Sequence, residues 1–124
     1  MNKYLEYLKL VPKFFTNADK IIEGWINDAK LEHGSLSKED EAIIITRRAI
    51  CSECPFNSFN LRNNDALYKE MFKEDFKTDR SDEFCGICSC PLVKKTASLA
   101  SNCGIENWNL EHPEQKLELK WKAK

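Results

Sequence analysis

Six cysteines are the residues of this chain best suited to chemistry, and they are patterned: Cys51-x2-Cys54, then Cys85-x2-Cys88-x-Cys90, then Cys103. A Cys-x2-Cys step lets two thiolates leave one tight turn and reach the same ion at about 2.3 Å, with backbone amides softening their charge. Two such turns complete a tetrahedron. The pattern predicts bound zinc, with an iron–sulfur cluster or plain reduced thiols as alternatives. Cys51 and Cys54 form one ligand pair, and spacing nominates Cys85 and Cys88 as their partners. Cys90 and Cys103 are then in surplus. Either a different four of the six hold one ion, or bridging thiolates hold two.

The two histidines read otherwise. His112 stands just before Pro113 and reads as a helix-start residue, and His33 beside Gly34 as an exposed residue at a helix end. A catalytic zinc keeps an open coordination position and usually takes His or carboxylate ligands; an all-cysteine set predicts a closed one. There is no His-Glu metalloprotease helix, no phosphate-cradling glycine loop and no nucleophile elbow. No catalytic residue is assigned, and no enzyme is expected.

The elements that must position the cysteines are mostly helical. Phe14, Ala18, Ile21, Trp25 and Ala29 recur at three- and four-residue steps, widened by Phe15, Ile22 and Ile26. That is a helix period. Thr16 or Asn17 would cap its start and Gly34 would end it. Gly24 inside it costs about 1 kcal/mol relative to alanine, which suggests close packing there. Upstream, Tyr4, Leu5, Leu8 and Val11 suggest a shorter amphipathic helix stopping near Pro12. Ser37 to Asp40 resembles a capping box. It predicts a helix from about Lys38 to Ala49 that buries Ala42, Ile43, Thr46 and Ile50, with Arg47 and Arg48 complementing the dipole in its last turn.

Beyond Cys51 the texture turns to loop. The long spacer between Cys54 and Cys85 carries a helical stripe over 67–76, and Phe56, Phe59 and Phe84 would pack beside the cysteines. Leu117 and Trp121, four apart, suggest a short C-terminal helix. The expected fold class is mainly α with a small irregular zinc-ribbon or knuckle-like module. Residues 1–50 form an N-terminal helical region, 51–110 a Cys-rich metal-binding module with a helical insertion near 65–77, and 111–124 a helical tail. All three belong to one domain.

Acidic and basic residues are interleaved and the formal net charge is −1. Nucleic-acid binding draws on phosphate neutralisation and usually shows as a basic excess, absent here. A local patch of Arg47, Arg48, Lys94 and Lys95 near the metal would be the alternative. Met1 to Leu10 has no apolar core of a secretory signal, and the longest apolar run, around Ala42–Ile45, is far short of the roughly 20 residues that span a bilayer. The chain reads as soluble and intracellular, where cysteines are metal ligands or reduced thiols more often than disulfides.

Four segments resemble a family of small cysteine-rich proteins of tailed bacteriophages, including phages of gut Bacteroidota. They are Glu23-Gly24-Trp25-Ile26-Asn27, the run from Arg47 through Cys51 and Cys54 to Pro55, Cys88-Ser89-Cys90-Pro91-Leu92-Val93-Lys94, and Cys103 with Trp108. Ser89 stands where the family pattern has glycine, and Gly104 where proline is common. The resemblance covers residues 17–108. It implies a phage protein made in the host cytoplasm, a virion component of the neck, tail or head, with other phage structural proteins as partners. The expectation is therefore a zinc-stabilised structural or adaptor protein, the alternative being a nucleic-acid-binding zinc ribbon in phage transcription or packaging.

Overall fold

The computed structural model describes residues 18–124. The short helix expected over Tyr4–Val11, the Phe14 and Phe15 end of the first stripe and the Thr16 or Asn17 cap lie outside the described residues. Two long helices come first, α1 (Ala18–Glu32) and α2 (Lys38–Ser52). Short ones follow: α3 (Ser58–Leu61), α4 (Ala66–Phe72), α5 (Leu92–Lys95) and α6 (Ile105–Glu111). Among the described residues extended pairing is confined to two isolated antiparallel bridges, Asn57 with Cys85 and Phe84 with Pro91. The chain is mainly helical, as its periodicity predicts.

Local chemistry sets the helix ends. Ser37 Oγ accepts the Asp40 amide at 3.1 Å and starts α2, as the capping motif predicts. The Asp40 carboxylate does not close the box; it pairs with the Lys124 ammonium from the far end of the chain. Gly34, at φ 71°, follows α1 in the left-handed conformation that glycine adopts without a steric cost.

What the two long helices bury is not their apolar stripes. On α1 the buried residues are Gly24, Asn27 and Asp28, whereas Ile22, Trp25 and Ile26 are about half exposed. On α2 the buried line is Ile44, Arg47 and Cys51. It sits one position round from the expected Ala42, Ile43, Thr46 and Ile50, and both Ala42 and Thr46 are exposed. The reason lies in what the helices pack against. Residues 96–99, all buried, run between them without helix or strand. A buried irregular backbone must find partners for its amides and carbonyls. Side chains of α1 and α2 supply them.

Asn27 donates to the Ala97 carbonyl at 2.9 Å, and Glu23 accepts the Ala100 amide at 2.9 Å and the Ser98 hydroxyl. The Arg47 guanidinium donates to the carbonyls of Thr96, Ser98, Leu99 and Lys122 at 2.9–3.2 Å and lies 4.3 Å from the Trp121 ring centre. Arg47 therefore does not serve the helix dipole. Ile44, Ala97 and Leu99, with Leu31, Leu36 and Ile43 around them, make the small apolar core beside this clamp.

α1 crosses α5 closely. A Cβ on Gly24 would overlap the Lys94 carbonyl oxygen, so close packing is the reason for glycine there. Four residues on, Asp28 meets both the Arg48 guanidinium, at 3.0 Å, and the Lys94 ammonium. Burial pushes the Asp28 carboxyl up, but the hydrogen bonds and charges of Lys94 and Arg48 outweigh it and hold its pKa below the ordinary value.

The helical insertion ends earlier than expected, at Phe72, with Lys73 left-handed at φ 60°. It is held through rings: Phe72 packs edge-on to Trp108 at 5.1 Å, Tyr68 meets Phe76, and Phe76 meets Phe84. Phe56 and Phe84 are buried as expected, but Phe59 is largely exposed. The expected C-terminal helix does not form. His112 ends α6 instead of starting a helix, stacked on Trp108, and residues 113–124 run on as an irregular strap. The strap's contacts explain this. Cys103 donates to the Trp121 carbonyl, Ala123 to Asn102 Oδ1 and Lys124 to the Leu99 carbonyl, all at 2.8–3.1 Å. These groups are spaced for an extended chain laid along residues 99–103, and that pairing outcompetes a short isolated helix.

Candidate metal centre

Three separate segments carry the cysteines to one place. The last turn of α2 delivers Cys51, and the turn after it Cys54; both follow from helix capping, since the Glu53 and Cys54 amides close on the carbonyls of Ile50 and Cys51. The stretch 84–91 delivers Cys85, Cys88 and Cys90. It folds as a tight turn with the Ser89 amide on the Cys85 carbonyl at 2.7 Å and the Cys85 amide on the Cys90 carbonyl at 3.1 Å. Cys103 stands just before α6, fixed by its bond to the Trp121 carbonyl. None of the six is joined in a disulfide.

Cys51, Cys54, Cys85 and Cys103 line one small enclosure of about 20 Å³, with Phe56, Leu92, Ile105 and Trp121 as its apolar walls. That volume accommodates one water-sized sphere. Spacing nominates Cys88 as the partner of Cys85, and the fold brings Cys103 into the lining as well. Cys88 shares a hydrogen bond with Cys85, and with Cys90 it opens towards a second, larger cleft. Gly104 allows the approach, because a Cβ on it would lie 2.7 Å from the Cys88 sulfur and 2.8 Å from that of Cys85. Among the described residues no three His, Cys, Asp or Glu side chains are already arranged to hold an ion. The thiols line the enclosure without meeting at a common centre.

The surroundings suit thiolates. Trp121 Nε1 points at the Cys51 sulfur at 3.3 Å, the Phe56 amide at Cys54 at 3.5 Å and the Lys120 amide at Cys103 at 3.3 Å. The amides of Ile87 and Cys88 turn towards Cys85. Amides two and three residues beyond a cysteine are the donors a metal-binding turn uses to offset thiolate charge. Lys120 lies near Cys54 and Arg47 near Cys51, and Lys95 shares the lining of the enclosure, so three cations stand beside a set that would carry net negative charge around a divalent ion.

Burial pushes Cys51 up to about 11, against the opposing bond from Trp121, and burial raises Cys54 as well. The hydrogen bond shared by Cys85 and Cys88 splits that pair: it pushes Cys85 well up and Cys88 well down, with Cys90 also donating to Cys88.

The chain matches no protein-family model, and no curated protein or solved structure is significantly similar to it. The site must therefore be read from its own residues. Neither histidine joins the thiols: His112 is stacked on Trp108, and His33 is exposed after α1. The basic patch expected from Arg47, Arg48, Lys94 and Lys95 does not assemble on the surface, because Arg47 is spent on buried carbonyls and Arg48 on Asp28 and the Val93 carbonyl.

Two participants, Trp121 and Lys120, carry no signal of this role in the sequence, and Arg47 is expected near the metal only as part of a basic patch. Trp121 was legible only as an apolar residue of a helix. Its indole reaches Cys51 because the strap is extended.

One strained residue sits in the cysteine turn. Ser89 adopts φ 63°, where a side chain is crowded and glycine is not. Ser89→Gly should therefore stabilise the chain by about 0.5 kcal/mol, relief of that crowding exceeding the added freedom of the unfolded state. A raised urea midpoint at unchanged slope is the expected reading; a lowered midpoint would mean that Ser89 is held there without strain.

Proposed function

We propose that this chain is a zinc-stapled interaction protein, in which Cys51, Cys54, Cys85 and Cys103 hold one ion and the helical surface carries partner binding. The observation behind this is the enclosure itself: four thiols from three distant segments, around a space for one sphere, with amide and indole donors on their sulfurs. A four-sulfur set of this kind favours zinc among common divalent ions. Ligated by four thiolates, zinc has no open position for a substrate, so its contribution is to folding. The half of the chain beyond Cys51 has only short helices and loops to stabilise it. There, metal-binding free energy becomes folding free energy.

The likeness of the cysteine segments to those of small tailed-phage proteins extends the proposal to a neck, tail or head accessory role among other virion proteins. Finding the chain in purified particles by mass spectrometry would support that extension, and finding it only in the infected-cell lysate would remove it. The metal reading has its own test. Protein purified without chelator should contain about one zinc per chain by elemental analysis. Metal-free protein with oxidised cysteines would refute it.

A further inference from the structure

A second cavity, of about 280 Å³, opens where α1, the cysteine turn, α5 and the start of α6 converge. Of its charged groups the metal reading uses Lys95 alone, which stands on the wall between the two sites. Its apolar wall is built by Ile21 and Trp25 of α1 and by Pro91. Its charged groups are Lys20, Arg80, Lys94 and Lys95, against the one carboxylate of Glu106. In a chain of net charge −1 that is a local concentration of positive charge. Arg80 is held by Asp82, and Lys94 by Asp28. Lys20 and Lys95 pair with no carboxylate among the described residues, although both face the cleft.

The apolar face of α1 continues this cleft outwards. Trp25 keeps 56% of its surface exposed, with the Lys94 ammonium 4.4 Å from its ring centre. Ile22 and Ile26, one step round the helix from Ile21 and Trp25, are 54% and 49% exposed. Helices ordinarily turn such a stripe into the core. Here the polar residues were drawn inwards to serve the backbone of residues 96–99, and the stripe was left outside.

We propose that this cleft and the outer side of α1 dock an acidic peptide segment of a partner protein, bearing a bulky apolar side chain. This rests on the interaction role proposed above and names the chemistry of the partner. The cavity takes the apolar anchor against Trp25 and Ile21, in the manner of interface residues that bury one aromatic or aliphatic side chain in a pocket. Lys20 and Lys95 take the flanking carboxylates, which favours encounter and selects against basic partners. Among the described residues the ammonium groups of this cleft that pair with no carboxylate are Lys20 and Lys95, too few to neutralise the run of phosphates on which nucleic-acid affinity depends, and Arg47 and Arg48 are turned inwards.

Selection from a random peptide library on the zinc-loaded full chain tests this. Enriched peptides should share an aromatic or large aliphatic residue flanked by Asp or Glu. A fluorescein-labelled synthetic copy should bind in an anisotropy titration, more weakly as salt rises. Affinity should fall about tenfold in Trp25→Ala and severalfold in Lys20→Glu. Both positions lie outside the cysteine site, so zinc content and circular dichroism should match the unaltered protein. The same samples thus separate failure of this proposal from failure of the metal reading. No enrichment, enriched peptides without acids, or equal binding by the two variants would overturn it. So would tighter binding of a labelled oligo-dT strand with the same sensitivity to Trp25→Ala, which would make the face a nucleic-acid site.

Discussion

Cys51→Ser, Cys54→Ser, Cys85→Ser and Cys103→Ser should each abolish stoichiometric zinc and leave residues 51–124 without cooperative structure, whereas Cys90→Ser should keep one zinc per chain. The magnitude follows from the size of the terms. Binding of a structural zinc contributes about 10–16 kcal/mol at neutral pH in small zinc modules. A domain of this size has about 5–15 kcal/mol of total stability. Losing one ligand of four therefore removes a contribution comparable with the whole. The geometry sorts the cysteines: the four named first line one enclosure, and Cys90 faces the neighbouring cleft. Elemental analysis and urea unfolding of the five variants provide the check. If Cys103→Ser keeps its metal while a sixth variant, Cys88→Ser, loses it, the ligand set is the one that spacing would choose, and the enclosure is not the site.

Arg47→Met should lower stability by about 3–5 kcal/mol, the cost of breaking a buried charged network by removing one partner. Arg47 is 2% exposed, and its guanidinium satisfies carbonyls of Thr96, Ser98, Leu99 and Lys122 that have been drawn out of water. Methionine fills much of the volume but leaves those acceptors unpaired, each a desolvation cost of about 1–3 kcal/mol when no water replaces the donor. Arg47→Lys should recover only part of the loss, since an ammonium cannot span four carbonyls with a planar fork. Urea midpoints with zinc bound provide the measurement. A midpoint for Arg47→Met within experimental error of the unaltered chain would show that the clamp contributes nothing net. The same change should loosen the C-terminal strap, because Lys122 and Trp121 both rest on this side chain. Earlier proteolysis after Lys116 or Lys120 would report it.

Local features of the chain were legible to the extent that their causes are local. The Ser37 cap, the span of α2 beyond it, the left-handed Gly34 and the insertion beginning near residue 66 each depend on a few adjacent residues. Gly24 was legible as a packing glycine because a helix interior tolerates one only for a reason. Which face of a helix is buried is a different kind of property. The α1 stripe of Ile22, Trp25 and Ile26 has the pattern of a core face, yet the partner that arrives is a bare loop, 96–99, that needs hydrogen-bond donors and acceptors more than methyl groups. Arginine is rarely buried, so its position in the last turn of α2 points Arg47 at the helix dipole; only the four carbonyls converging on it reverse that expectation. Trp121 followed a helical spacing that an extended strap overrode.

The cysteines show the same division. Their count and the Cys51-x2-Cys54 and Cys85-x2-Cys88 steps determine by themselves that thiols can leave tight turns in pairs, because two intervening residues set a backbone geometry that no distant contact is needed to form. The tertiary structure alone brings Cys103 into the lining shared by Cys51, Cys54 and Cys85, with Cys88 hydrogen-bonded to Cys85 beside it. It also supplied the indole of Trp121 to Cys51 and the amide of Lys120 to Cys103 across long stretches of chain. Those placements depend on where α6 and the C-terminal strap come to rest, and that is settled by burial and backbone pairing between segments tens of residues apart.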